Sequence, residues 1–149
     1  MYRVFTRFAC FLAFAECLCA QAPGEAAAAP RPEEENRARA ARNALLDRGV
    51  DILVNLRGVL EGVHDKSSAD RAALQVYKIT AELTAWGQKA AAAPALESEE
   101  HERTEEAYVK RLQAVNSSLE AQAQRLAAAE WFSSERLVRA LALLVENTR

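Results

Sequence analysis

In the middle part of the chain, the segment Glu61-Gly62-Val63-His64 places a glutamate and a histidine at a spacing that is used to bind metals. A Glu-x-x-His pair is the spacing with which two helices of a di-iron four-helix bundle bind their metals, and such a site needs a second pair and two further glutamates. The other histidine, His101, has Ser98 at the position where the second glutamate would stand. The sequence therefore supplies one of the two required pairs and does not predict a di-iron site.

A second candidate site lies near the predicted start of the third helix, where Glu97, His101 and Glu105 follow one another at intervals of four residues. Residues at this spacing share one helical face, so these side chains could hold a divalent cation weakly. The alternative is a solvated helix start in an acidic stretch, because negative side chains are favoured there. We favour this alternative and predict no metal and no other cofactor.

Candidate nucleophiles are few. All three cysteines, Cys10, Cys17 and Cys19, lie within the first twenty residues, so the rest of the chain has no thiolate nucleophile and no internal disulfide framework. The sequence contains no Gly-x-Ser-x-Gly, phosphate-binding loop or dinucleotide fingerprint. We interpret the serine pairs at 67/68, 117/118 and 133/134 as helix caps and breaks, and we predict no enzymatic activity.

The net charge of the chain bears on its partners, and its composition bears on its fold. The 19 basic and 21 acidic residues give a net charge of −2, which creates no bulk field that would attract nucleic acid. Hydrophobic residues make up 50% of the chain but aromatic residues only 7%, and much of the remainder is alanine. This balance favours close-packed helices over a sheet, and we predict no nucleic-acid partner.

Residues 1–20 have the organisation of an export signal peptide. Arg3 and Arg7 provide a positive first region, and residues 8–15 form an apolar run of the usual length. This run is too short to span a bilayer, which takes about 20 residues. We predict cleavage after Ala20, which would leave no stable membrane span in the mature chain.

The next segment, residues 21–35, is rich in alanine and proline and has no apolar periodicity, so we predict a disordered tether. Two alternatives to a cleaved signal peptide remain open. One is lipid attachment through Cys17 or Cys19, and the other is an N-terminal core helix that stays attached.

Beyond the tether, apolar residues recur at the three- and four-residue spacing of helical stripes. The stripes predict helices over about residues 34–64 and 68–92, a third from about 98, and a last one capped by Ser133 or Ser134. Ser67 or Ser68 is the predicted cap of the second helix, with Asp70 favouring its positive end. The predicted fold class is all-α: residues 36–149 form an antiparallel bundle of three long helices with a shorter C-terminal fourth helix.

Two places on this bundle are candidate partner-binding surfaces. Gly58 and Gly62 share a helical face without side chains, where a partner helix could approach closely. A bending helix end near the turn is the alternative. Val138 and Leu143, with Val145, give the last helix an apolar excess that one core face would leave partly uncovered. Burial across the end of the bundle is the alternative there.

The junction of the first two helices also carries a resemblance. Val63 to Ala73 reads V-x-D-x-x-S-A-D-x-A-A, which resembles a stretch in small exported helical bacterial proteins of unassigned function. The resemblance extends over about residues 45–145. It implies an envelope location and a helical fold, and it implies no catalytic or cofactor-binding residues.

These observations together predict an exported protein of the periplasm or cell envelope that binds a protein partner through a helical surface, without catalysis. A homo-oligomer is compatible with this function. The alternative is an exported bundle that binds a metal or small ligand, and an exported enzyme ranks third.

Export can be tested by the intact mass of the protein isolated from the cell envelope. We expect the mass of a chain that begins at Gln21 and has no cysteine. A mass that includes Cys17 or Cys19 with acyl chains would instead identify a lipoprotein.

Overall fold

A computed structural model describes residues 32–93 and 99–147. Within these residues the chain forms four α-helices and no strand: α1 (Pro32–Glu61), α2 (Lys66–Ala91), α3 (Glu99–Ala128) and α4 (Glu135–Asn147), with a single tight turn over Glu130–Ser133 between the last two. The predicted all-α class, with three long helices and a shorter fourth, is thus confirmed for the described part of the chain.

The N-terminal predictions fall mostly outside the described residues, which exclude the predicted signal peptide and residues 21–31 of the predicted tether. The helix α1 begins at Pro32, so the prediction of disorder for residues 32–35 was wrong. Proline suits the first helical position, because its missing N–H would have no partner there. None of the helices in residues 32–93 and 99–147 is long and apolar enough to cross a membrane.

The connection between α1 and α2 is closed by a reciprocal pair of hydrogen bonds. The backbone N–H of Ser68 donates to Asp65 Oδ1 (2.6 Å), and the backbone N–H of Asp65 donates to Ser68 Oγ (3.0 Å). This capping box satisfies two donors that a helix start otherwise leaves free. The cap of α2 is therefore Asp65, and the prediction of Ser67 or Ser68 was wrong by two or three residues.

One core contains side chains from all four helices. The central positions of every predicted stripe are buried, including Leu56 at 1% exposure. Val50, Thr80 and Asn116 are also buried, although they lie outside the predicted stripes. The core members are Val50, Ile52, Leu53, Leu56, Leu60, Val63, Ala69, Ala72, Ala73, Val76, Ile79, Leu83, Leu112, Val115, Leu119, Leu126, Leu137, Ala140, Leu141 and Leu144.

The most extensive packing is between α2 and α4, followed by α1 with α3 and α1 with α2. Polar contacts accompany the packing of α1 on both its neighbours. Arg48 donates to Glu82 on α2 (3.0 Å), and Arg111 on α3 donates to Asp47. These pairs are exposed, so they contribute little to stability and mainly fix the register of the helices.

At Gly49, α1 lies directly against the indole ring of Trp86 on α2. Trp86 Nε1 donates to the backbone carbonyl of Leu45 (2.7 Å), which holds the ring across the surface of α1. A Cβ atom on Gly49 would lie 2.5 Å from Trp86 Cζ2. Glycine is therefore required at this position for the two helices to pack, and Trp86 is partly buried and packs against the core.

The substitution Gly49→Ala should destabilise the protein by about 1–3 kcal/mol, as overpacking of a core does. Its matched control is Gly58→Ala in the same helix, where a Cβ would meet nothing within 4 Å. Alanine is the better helix former by about 1 kcal/mol, so the control should stabilise. Urea unfolding followed by circular dichroism measures both changes, and equal effects at the two glycines would contradict this packing.

Candidate functional site

Arg125, in the last turn of α3, links this helix to the end of α1. Its Nη2 donates to the carbonyl oxygen of Leu60 and its Nη1 to that of Val63, both at 2.7 Å. The last carbonyls of a helix have no partner within the helix, and a positive charge is favoured beside them. The guanidinium of Arg125 therefore caps the end of α1 and joins it to the end of α3.

Ser134 makes the corresponding connection between α4 and α2. Its Oγ accepts from the backbone N–H of Leu137 (3.2 Å), so Ser134 caps α4, and the choice left open between Ser133 and Ser134 is resolved. The same hydroxyl donates to Asp70 Oδ1 (2.6 Å). Because Ser134 is only 2% exposed, this hydrogen bond is shielded from water and ties the start of α4 to the first turn of α2.

The turn between α3 and α4 has an unusual backbone. Four consecutive residues, Glu130 to Ser133, have φ between +48° and +56°, and none of them is glycine. The left-handed conformation costs roughly 1–2 kcal/mol for each such residue. Trp131 and Phe132 are half-buried and pack against the core, and this packing offsets the strain. Strain of this kind is concentrated at functional and switch regions.

The Glu-x-x-His pair does not lie inside the bundle. The helix α1 ends at Glu61, so His64 is outside any helix and the two residues do not share a helical face. The side chain of His64 is 74% exposed, and its Nδ1 lies 2.9 Å from the carbonyl oxygen of Gly62. The carboxylate of Glu61 pairs with Arg57 (3.3 Å). This pair therefore lacks the inward geometry that a di-iron bundle requires.

The other candidate metal site is described only in part. Glu97 lies outside the described residues, and for His101 and Glu105 the structure describes the helical backbone of α3 alone. Elsewhere, in residues 32–93 and 106–147, no three His, Cys, Asp or Glu side chains are grouped so that they could hold a metal ion.

The two glycines of the first candidate surface differ in their surroundings. Gly58 is exposed, and the space where its side chain would stand is open. Gly62 is also exposed but follows the last residue of α1, and its N–H donates to the carbonyl of Gly58 (3.2 Å). Gly58 therefore provides an open strip on the side of α1, whereas Gly62 belongs to the end of the helix.

The second candidate surface is divided between two sides of α4. Val138 is half-buried and Leu143 is 40% exposed. Five helical residues correspond to about 500°, which places these side chains roughly 140° apart around the axis. Val145, predicted to widen this surface, is buried at 7% exposure. The two residues therefore do not form one continuous apolar patch.

Sequence reasoning missed a third exposed apolar surface, on α2. Leu74 is 62% exposed and Tyr77 is 39% exposed, and residues three apart are neighbours on a helix surface. The signal for this pair was present in the sequence, because both residues lie outside the stripe that contains Ala73 and Val76. We call Leu74 and Tyr77 the α2 patch.

In comparisons with known proteins, no family model, curated protein or solved structure matches the chain. The resemblance based on the junction stretch stays a prediction.

The capping box gives the junction a dependence on pH. The hydrogen bond from the backbone N–H of Ser68 lowers the pKa of Asp65 below its ordinary value of 3.8, and the Ser68 hydroxyl lowers it further. A carboxyl whose pKa is lower in the folded state stabilises the fold above its unfolded pKa. This stabilisation is lost as the pH falls through the folded pKa.

Asp65→Ala should therefore destabilise the protein at pH 7 and have a much smaller effect near pH 2. Urea unfolding of both proteins over this range measures the difference in the free energy of unfolding. Asp51→Ala is the control, because Asp51 is an exposed carboxylate in the middle of α1 and caps no helix. A difference for Asp65→Ala that does not change with pH would show that the capping carboxylate is not responsible.

Proposed function

We propose that this protein is an exported envelope protein that binds a protein partner through its helical surface, without catalysis. The observation that carries the proposal is the α2 patch, where a leucine 62% exposed stands beside a partly exposed tyrosine. An apolar side chain in water gains free energy when a partner covers it, at about 25 cal/mol for each Å² buried. Tyrosine is enriched in protein interfaces, because its ring is apolar and its hydroxyl can bond to a partner.

The export signal pattern of residues 1–20 and the resemblance at the junction support the envelope location. The surroundings of the ionisable side chains support binding over catalysis. His64 is exposed and close to the carbonyl of Gly62, and the carboxylates of Glu61 and Asp65 face solvent. A catalytic base, in contrast, is tuned by burial and by neighbouring charges to work near neutral pH.

We further infer that consecutive helices run antiparallel. Trp86, late in α2, bonds to Leu45 in the middle of α1, whereas the end of α1 is joined directly to the start of α2, which supports opposite directions for these helices. On α3, Arg111 bonds to Asp47 of α1, and the later Arg125 bonds to the later Leu60. This order supports a common direction for α1 and α3. In such an arrangement α2 has a long side that faces away from α1. The exposed side chains of the α2 patch belong to this helix.

Cross-linking in intact cell envelopes tests this function. Leu74→Glu with Tyr77→Glu should remove the specific cross-linked product, because two charges would have to be desolvated in an apolar contact. The predicted surfaces are tested in parallel by Gly58→Leu with Gly62→Leu, and by Val138→Glu with Leu143→Glu. Far-ultraviolet circular dichroism should show an unchanged helix content.

The matched control for the α2 patch is Gln75→Glu, which adds a charge to an exposed position of the same helix. The control should keep the cross-linked product. The histidine variant His64→Ala with His101→Ala should also keep it. A product that survives all three surface variants but is lost with the histidines would overturn the proposal in favour of a ligand site.

A further inference from the structure

We propose that two copies of this chain form a dimer by exchanging α4: in each copy α3 and α4 become one continuous helix, and α4 packs on α2 of the other copy. The turn at Glu130–Ser133 is the hinge of this exchange. Its four left-handed residues, none of them glycine, are strained. A right-handed helix through this turn would remove that strain, and a short strained hinge favours domain exchange.

The buried residues of α3 and α4 are in phase for such a continuous helix. Positions seven residues apart return to nearly the same face after two turns. One series runs through both helices as Leu112, Leu119, Leu126, Ser133 and Ala140, and a second as Asn116, Ala123, Glu130, Leu137 and Leu144. Each member in α3 and α4 is buried, and only the two turn residues are exposed. Straightening the turn would therefore keep the apolar faces on one side.

Straightening also removes α4 from its own α2. The end of α4 would lie about 28 Å beyond Ala128, at 1.5 Å for each of the 19 residues. A helix as short as α4, at 13 residues, is marginal by itself in water and needs a surface to pack on. The face of α2 that α4 covers in the closed chain is the most extensive helix contact in the described residues.

A second copy of the chain can cover this face of α2, because it presents the same helix α4. Exchange keeps the apolar contacts between α2 and α4 and changes only which chain supplies them, whereas straightening the turn gives up the Ser134 cap of α4 and the packing of Trp131 and Phe132. The free-energy difference between closed monomer and exchanged dimer therefore depends mainly on the turn and on the entropy of association.

Two pairs of substitutions at the exposed turn residues test this in opposite directions. Glu130→Gly with Ser133→Gly relieves the left-handed turn and weakens the continuous helix, since glycine adopts positive φ freely. Glu130→Ala with Ser133→Ala leaves the turn strained and strengthens the helix. Light scattering after size-exclusion chromatography of the full chain measures the dimer fraction.

We expect a dimer whose dissociation constant is larger for the glycine pair and smaller for the alanine pair, by about tenfold or more in each direction. A monomer at every concentration, including after refolding of concentrated protein, would overturn the proposal. Equal dimer fractions in the two variants would also overturn it, because a simple surface contact does not depend on the turn.

A disulfide trap identifies which chain supplies α4. All variants carry serine in place of Cys10, Cys17 and Cys19. One copy carries Asp70→Cys and the other Ser134→Cys, and the two are refolded together. A disulfide-linked heterodimer is expected, since α4 of one chain then lies on α2 of the other. The control carries both substitutions in one chain and should form an internal disulfide in the monomer. If the control forms its disulfide while the dimer of the mixture forms none, exchange does not occur.

Discussion

The arrangement of the helix ends depends on two hydrogen bonds, which Arg125 donates to the carbonyl oxygens of Leu60 and Val63. A helix ends with carbonyl groups that have no partner, and burying them uncapped is costly. One guanidinium bonds to two carbonyl oxygens here because its donors diverge in a plane. The oxygen of Leu60 also accepts from the backbone N–H of Val63, and the oxygen of Val63, just past the end of α1, is bonded to Arg125.

This clamp joins two parts of the chain that are far apart in sequence. The connection between α1 and α2 is only four residues long, and the turn between α3 and α4 is similarly short. Each short connection fixes a pair of helices, and Arg125 links one pair to the other. The hydrogen bond between Ser134 and Asp70 links them a second time. Polar contacts at one end thus set the register in which the apolar faces meet.

The helices and their inner faces could be predicted from the sequence because periodicity is a local property. The stripe that contains Leu56 and the cap at Ser134 are examples. The cap at Asp65 was missed, because the reciprocal partner at the third helical position is serine where glutamate is the more familiar residue. Arg125 could not be recognised, since its partners lie more than sixty residues away.

The candidate site shows the same limit. The sequence pattern singled out Gly58 and Gly62 as glycines where another helix could approach closely, whereas the structure gives this role to Gly49. The difference arises from Trp86, which reaches Gly49 only in the folded chain. The left-handed turn was missed for a related reason. Such a backbone usually contains glycine, and here the packing of Trp131 and Phe132 on the core holds it instead.

The two tryptophans have a spectroscopic consequence. Trp86 lies where the late part of α2 meets α1, whereas Trp131 lies in the turn that packs near the start of α2. The sixteen residues from Asp70 to Trp86 correspond to about 24 Å along the helix. Because the chain contains only these two indoles, two separate levels of the helix packing each carry one intrinsic fluorophore. Local opening at one level therefore changes the emission of one tryptophan and leaves that of the other unaltered.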